Sequence, residues 1–130
     1  MRLNTKVRYG LRAMIEIALH SDGILQKEIS VNQSISTKYL DQIIASLKAA
    51  GLVIRVSGKK SGYRLTRKQE DISVYDIYKA FEYELDINDC TINSQECLLI
   101  EQCKTRSYWC DLNSVITNHM KSKTLADLLL

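Results

Sequence analysis

All four cysteines of the chain, Cys90, Cys97, Cys103 and Cys110, fall in one window of 21 residues, and the 89 residues before it contain none. A cluster of this kind serves as a disulfide framework, a metal site or a redox sensor, and each demands a different organisation around it. With 45% hydrophobic residues, a chain of 130 residues can bury a core without covalent staples. The N-terminal segment Met1-Arg2-Leu3-Asn4-Thr5 is no apolar leader. There is also no run of about 18 apolar residues to cross a bilayer. A cytoplasmic protein is therefore expected, and in that compartment clustered thiols bind metal or sense oxidation more often than they cross-link.

Charge divides the chain at nearly the same place. Residues 1–68 hold thirteen of the eighteen Lys and Arg against four acids, a balance of +9. Residues 69–130 hold five bases against eleven acids, a balance of −6. A compact basic segment is the footprint of a polyanion-binding module. Two regions are expected: a DNA-binding domain over 1–68, and a cysteine-containing, helical dimerisation region over 69–130.

Hydrophobic periodicity fills in the elements. Val7, Leu11, Met14, Ile15 and Ala18 predict an amphipathic helix over about residues 5–20, stopped near Gly23. A shorter helix over Gln26–Gln33 turns Ile29 inward. Ser36 is placed as the N-cap of a third helix with Tyr39, Leu40, Ile43, Ile44 and Leu47 on one face, and Gly51 sits where a left-handed cap residue belongs. Leu52–Val56 is rich in β-branched residues and Tyr63–Thr66 alternates, so a hairpin follows, with Gly58–Gly62 as its basic turn. Three helices and a hairpin, in that order, make a winged helix-turn-helix: a mainly α fold with a small two-stranded wing. Its third helix exposes Thr37, Lys38, Asp41 and Gln42, and its wing tip carries Lys59 and Lys60.

Further on, Ser73 and Asp76 form a capping box ahead of Ile77, Tyr78 and Phe81. Trp109, Leu112, Ile116 and Met120 then recur at spacings of three and four, predicting a long C-terminal helix over about 103–122. A helix of that length, roughly 30 Å, is too long for a small domain to cover alone, so its stripe is expected to meet a second copy of the chain. Thr124–Asp127 caps a last short turn. Arg8 and Arg12, one turn apart, are expected to meet DNA phosphate or the partner subunit.

Together these residues resemble a known family, the Rrf-type winged-helix transcription regulators. The likeness is carried by Thr5-Lys6-Val7-Arg8-Tyr9-Gly10-Leu11-Arg12, Tyr39-Leu40-Asp41-Gln42, Ala50-Gly51-Leu52-Val53, Gly62-Tyr63-Arg64-Leu65, Arg106 with Trp109, and Thr124-Leu125-Ala126-Asp127-Leu128. It implies a homodimer that binds duplex DNA, with Lys38, Asp41 and Gln42 reading bases and Lys59 and Lys60 reaching phosphate or the minor groove. The expected interface also includes Ser36, Thr37, Tyr39, Arg55, Gly62 and Tyr63. Side-chain chemistry agrees, since Gln pairs with adenine and a carboxylate accepts from cytosine N4. The wing departs from the family pattern at Ser57 and Ser61, where relatives often have Arg and Gly.

The resemblance further implies an iron–sulfur cluster on Cys90, Cys97 and Cys103, whose spacing matches that of cluster-binding relatives. Arg106 stands where some relatives place a ligating His, and Arg8 stands where others borrow a carboxylate; neither can ligate iron. Cys110 is the candidate fourth ligand. On a helix running from Cys103 it would lie about 10.5 Å further along, out of reach unless the helix begins after Cys103. Zinc, a cluster-free thiol switch and inert cysteines are the alternatives. No catalytic triad, Cys/His pair or phosphate-binding glycine loop is present, so an enzyme is not expected.

Overall fold

The computed structural model describes residues 1–57, 62–92 and 97–130. The first helix, α1 (Thr5–Leu19), is capped by Asn4, whose side chain accepts from the Lys6 N–H. It buries Val7, Gly10, Ala13, Met14 and Ile17, the inward stripe of an amphipathic helix. Helix α2 (Gln26–Gln33) follows, and Glu28 reaches back to accept from the Leu25 N–H at 3.2 Å. The turn to α3 (Thr37–Ala49) is short. Ser34 takes a left-handed conformation (φ 53°), Ile35 drops into the core, and the Ser36 hydroxyl caps the new helix by accepting from Tyr39 N–H at 3.2 Å.

Helix α3 buries Leu40, Ile43, Ile44 and Leu47 and ends in a paired-hydrogen-bond cap. There Gly51 (φ 74°) donates to Lys48 O and Leu52 to Leu47 O. Strands β1 (Val53–Val56) and β2 (Gly62–Leu65) pair antiparallel in the register Val53↔Leu65 to Val56↔Gly62. A bridge between Ile24 and Tyr63 sets a third, single-residue strand against β2. The tip of the wing, with Lys59 and Lys60, lies outside the described residues.

The remaining elements are a 3₁₀ turn (Gln69–Asp71), α4 (Val74–Lys79), the single turn α5 (Asp89–Ile92), α6 (Arg106–Ser122) and α7 (Leu125–Leu128). Capping boxes open both α4 (Ser73 with Asp76) and α7 (Thr124 with Asp127). Their leading residues lie side by side, joined by Val74 N–H to Lys123 O at 2.8 Å and Leu125 N–H to Ile72 O at 2.9 Å.

One buried cluster joins α1, α2, α3 and β1 with Ile72, Ile77 and Leu125, so the main core draws on residues from both sides of the charge boundary. Each such aliphatic side chain contributes about 1.5–3 kcal/mol by leaving water. A second, smaller cluster holds Val7, Tyr78 and Leu85, with Phe81, Ile116 and Met120 against it.

The long helix differs from its sequence-based expectation in two ways. It begins at Arg106, not at 103, because the Thr105 carbonyl accepts the first helical bond from Trp109 N–H at 3.2 Å while the Thr105 hydroxyl meets the Cys103 thiol at 3.3 Å. At seventeen residues α6 is roughly 26 Å long. The expected stripe of Trp109, Leu112, Ile116 and Met120 is also divided, with Leu112 half-buried and Trp109 exposed. Ile116 and Met120 pack on the chain's own second cluster, whereas Tyr108, Trp109 and Val115 remain exposed.

Candidate nucleic-acid interface and cysteine window

The inner face of α3 is fully buried, which fixes which of its residues face outward. Ser36, Thr37, Lys38, Asp41 and Gln42 are all exposed on one side of its first turns. Thr37 and Asp41, and likewise Lys38 and Gln42, are four residues apart and so stand one above the other. Tyr39 behaves differently. It is half-buried, edge-on to Tyr9 with ring centroids 5.6 Å apart, and packs against the core.

On the wing, Arg55 is exposed and lies across from Tyr63. Gly62 and Tyr63 open β2, with Gly62 paired to Val56 at the tip end of the ladder. Gly62 is buried at φ 136°, and a Cβ there would collide with the Ile24 carbonyl. Tyr63 exchanges backbone hydrogen bonds with Ile24 at 2.8 and 3.0 Å, and its half-buried ring has Lys48 Nζ 6.0 Å from the centroid.

Several residues to which sequence reading assigned no role hold this surface together. Glu16, 8% exposed, accepts from Asn32 Nδ2 at 3.1 Å and Gln33 Nε2 at 2.7 Å. The Gln33 side-chain oxygen accepts from Arg12 Nε at 3.1 Å, and its backbone carbonyl accepts from the same guanidinium. Arg12 also lies 5.0 Å from the Tyr9 ring centroid, so it clasps α1 to α2. Arg8 is exposed. Across the helix-turn-helix, Gln26 of α2 donates a side-chain N–H to the Asp41 carboxylate. These partners are fifteen or more positions apart, so no local pattern signals them.

The cysteine window is tied to α6. Asn113 accepts from Ile87 N–H and donates to Leu85 O, both at 3.0 Å, fixing the approach to α5. Arg106 Nε donates to the Cys90 carbonyl at 3.4 Å. Cys90, Cys103 and Cys110 are half-buried, Cys97 is exposed, and all four are free thiols. The Thr105 hydroxyl, followed by the Thr105 and Arg106 backbone and the Arg106 charge, draws the Cys103 thiol below its ordinary value of 9.0. Because α6 starts after Cys103, Cys110 is not separated from it by a continuous helical rise. Thiolates are the usual ligands of iron–sulfur clusters, so the donor chemistry suits such a group. The side chains are not gathered, however: among the described residues no three His, Cys, Asp or Glu groups converge as a metal site.

An exposed polar helix on a buried three-helix frame, followed by a two-stranded wing, defines a winged helix-turn-helix protein. The chain belongs to the Rrf2 family, whose model, described as an iron-dependent transcriptional regulator, matches residues 3–130. It is 36% identical to the HTH-type transcriptional regulator IscR of Vibrio cholerae over 132 residues, covering all of this chain and 76% of that protein. Among solved structures it resembles T. potens IscR, with a TM-score of 0.80 and 34% identity over 99% of this chain and 86% of that one. It is also similar to CymR, the global cysteine regulator of B. subtilis, with a TM-score of 0.79 and 28% identity over 99% and 96%. The family model and the Vibrio relative are both described as transcriptional regulators. Among the described residues, no helix is long and apolar enough to cross a membrane.

Proposed function

We propose that this chain is a homodimeric, sequence-specific DNA-binding regulator whose operator affinity is set by an iron–sulfur cluster on Cys90, Cys97 and Cys103, with Cys110 a candidate fourth ligand. The observation that carries the reading is the combination of an outward polar face on α3 with a thiol-rich segment anchored to α6 through Arg106 and Asn113. Helix α3 enters the major groove from residues 1–68. There Gln42 pairs with adenine, Asp41 accepts from cytosine N4 and Lys38 donates to guanine or phosphate. Ser36 and Thr37 offer hydroxyls to the backbone, and Tyr39, Gly62 and Tyr63 support the surface from behind. Arg55, Lys59 and Lys60 contribute salt-sensitive phosphate contacts.

Tyr108, Trp109 and Val115 give α6 an apolar face suited to a second copy, which would set the spacing of two half-sites. The cluster, when bound, supplies a centre sensitive to oxidation, nitric oxide or iron supply. The chain's own part is to offer thiolates, Cys103 foremost, and to couple Cys90 to α6 through Arg106 and the residues ahead of α5 through Asn113. Similarity to IscR supports this reading.

The test is anaerobic purification followed by visible absorption with iron and sulfide counted per chain. Charge-transfer absorption with stoichiometric iron and sulfide is expected, and Cys97→Ala should abolish it and change operator affinity. Unchanged affinity with the cluster gone would sink the coupling. A second reading, a cluster-free regulator controlled by thiol oxidation or a partner protein, is favoured by the ungathered thiols and the likeness to CymR. It predicts a colourless dimer that resists reconstitution and changes its DNA affinity on oxidation.

A further inference from the structure

Base readers on an exposed helix face normally carry loose side chains, yet Asp41 is already held. Gln26, the first residue of α2, donates from its amide nitrogen to Asp41 Oδ1 across the helix-turn-helix. Gln26 is half-buried, and α2 is itself fixed to α1 by the Glu16–Gln33–Arg12 clasp. The bond therefore ties the Asp41 carboxylate to a rigid frame and not to another mobile side chain. With Oδ1 occupied, Oδ2 is the oxygen left to accept from a base edge.

We infer that Gln26 is a positioning residue for DNA recognition, orienting Asp41 so that its free oxygen selects cytosine at one position of each half-site. The inference rests on the DNA-binding reading above and deepens it. Gln26 need not touch the base. It removes rotamers in which Asp41 turns away. Since the donor comes from α2, selectivity at this base pair depends on the packing of α2 against α3 as well as on α3 itself.

The experiment selects binding sites from a random duplex DNA library with the full chain purified anaerobically. The native chain is compared with Gln26→Met, which keeps length and helix propensity but lacks the donor, with Asp41→Ala, and with the double variant. The native chain should enrich cytosine at one position per half-site. Gln26→Met should lose about tenfold of that preference, leave the other positions and the salt dependence of binding unchanged, and melt with the native chain. The double variant should lose no more than Asp41→Ala alone, since both act through one carboxylate. Native selectivity in Gln26→Met would overturn the inference. So would an equal loss at every position, which marks a purely structural bond. If the native chain enriches no sequence, the DNA-binding reading falls, and the inference with it.

Discussion

Two glycines with positive φ allow the contact between the wing and Ile24 to be tested by subtraction. Gly62 (φ 136°) has the Ile24 backbone where a Cβ would go, whereas Gly51 (φ 74°) has nothing within 4 Å of that point. Alanine at either position incurs the backbone strain of an L-residue at positive φ, about 1–2 kcal/mol. Each gains back about 0.4–1 kcal/mol by narrowing the unfolded ensemble. At Gly62 alone, the side chain must also push Ile24 away from Tyr63 and break their pair of backbone hydrogen bonds. Those bonds contribute about 1 kcal/mol each. Gly62→Ala should therefore cost about 3 kcal/mol and Gly51→Ala about 1 kcal/mol. With an m-value of about 1.5 kcal/mol/M, urea unfolding followed by circular dichroism should show midpoints lowered by about 2 M and by less than about 1 M. Equal shifts for the two variants would refute the close approach as the source of the difference.

Other substitutions test the remaining contacts. Gln33→Ala removes a partner of both Glu16 and Arg12 and should cost about 2 kcal/mol, read as a lowered urea midpoint. Asn113→Ala releases residues 85–87 from α6, so the amide of Ile87 should exchange with solvent markedly faster while those of α3 keep their protection. The Cys103 thiol should alkylate with a half-point below pH 9.0, and Thr105→Val should raise it. Because that folded value is depressed, the stabilisation it brings is present above the ordinary thiol value and is lost as pH falls through the folded one. An alkylation profile unmoved by Thr105→Val would remove the hydroxyl as the cause.

What could be read from the residues follows from how local each interaction is. Ser36, Ser73 and Thr124 act within three positions of themselves, so their caps were visible in the sequence, as was the left-handed stop at Gly51. The α3 stripe was equally plain, because helical period alone sorts Leu40, Ile43, Ile44 and Leu47 from Lys38, Asp41 and Gln42. The start of α6 was misplaced because a contact between Cys103 and Thr105 outweighs periodicity there. Ile116 and Met120 could not be assigned to their own subunit, since their partners Leu3, Val7 and Tyr78 are a hundred or so positions earlier or lie in α4. The clasp of Arg12 on Gln33 is invisible for the same reason, since no spacing rule connects the two. In the window, composition identified the thiols, but their arrangement depends on Arg106 and Asn113 reaching across to the segment before and within α5.

The pairing of the residues ahead of α4 with those ahead of α7 brings Ser73 and Thr124 together, although α4, the cysteine window and α6 all lie between them in the chain. The cysteine window and α6 therefore form an excursion whose two ends are stitched together. Loop-closure cost grows only with the logarithm of length, about 0.6 kcal/mol for each doubling. Between Leu85 and α6, where no described residue joins either buried cluster, residues can be added or removed and the thiols respaced at little expense to the rest of the fold. The thiol-bearing stretch can therefore vary in length and spacing independently of the outward face of α3.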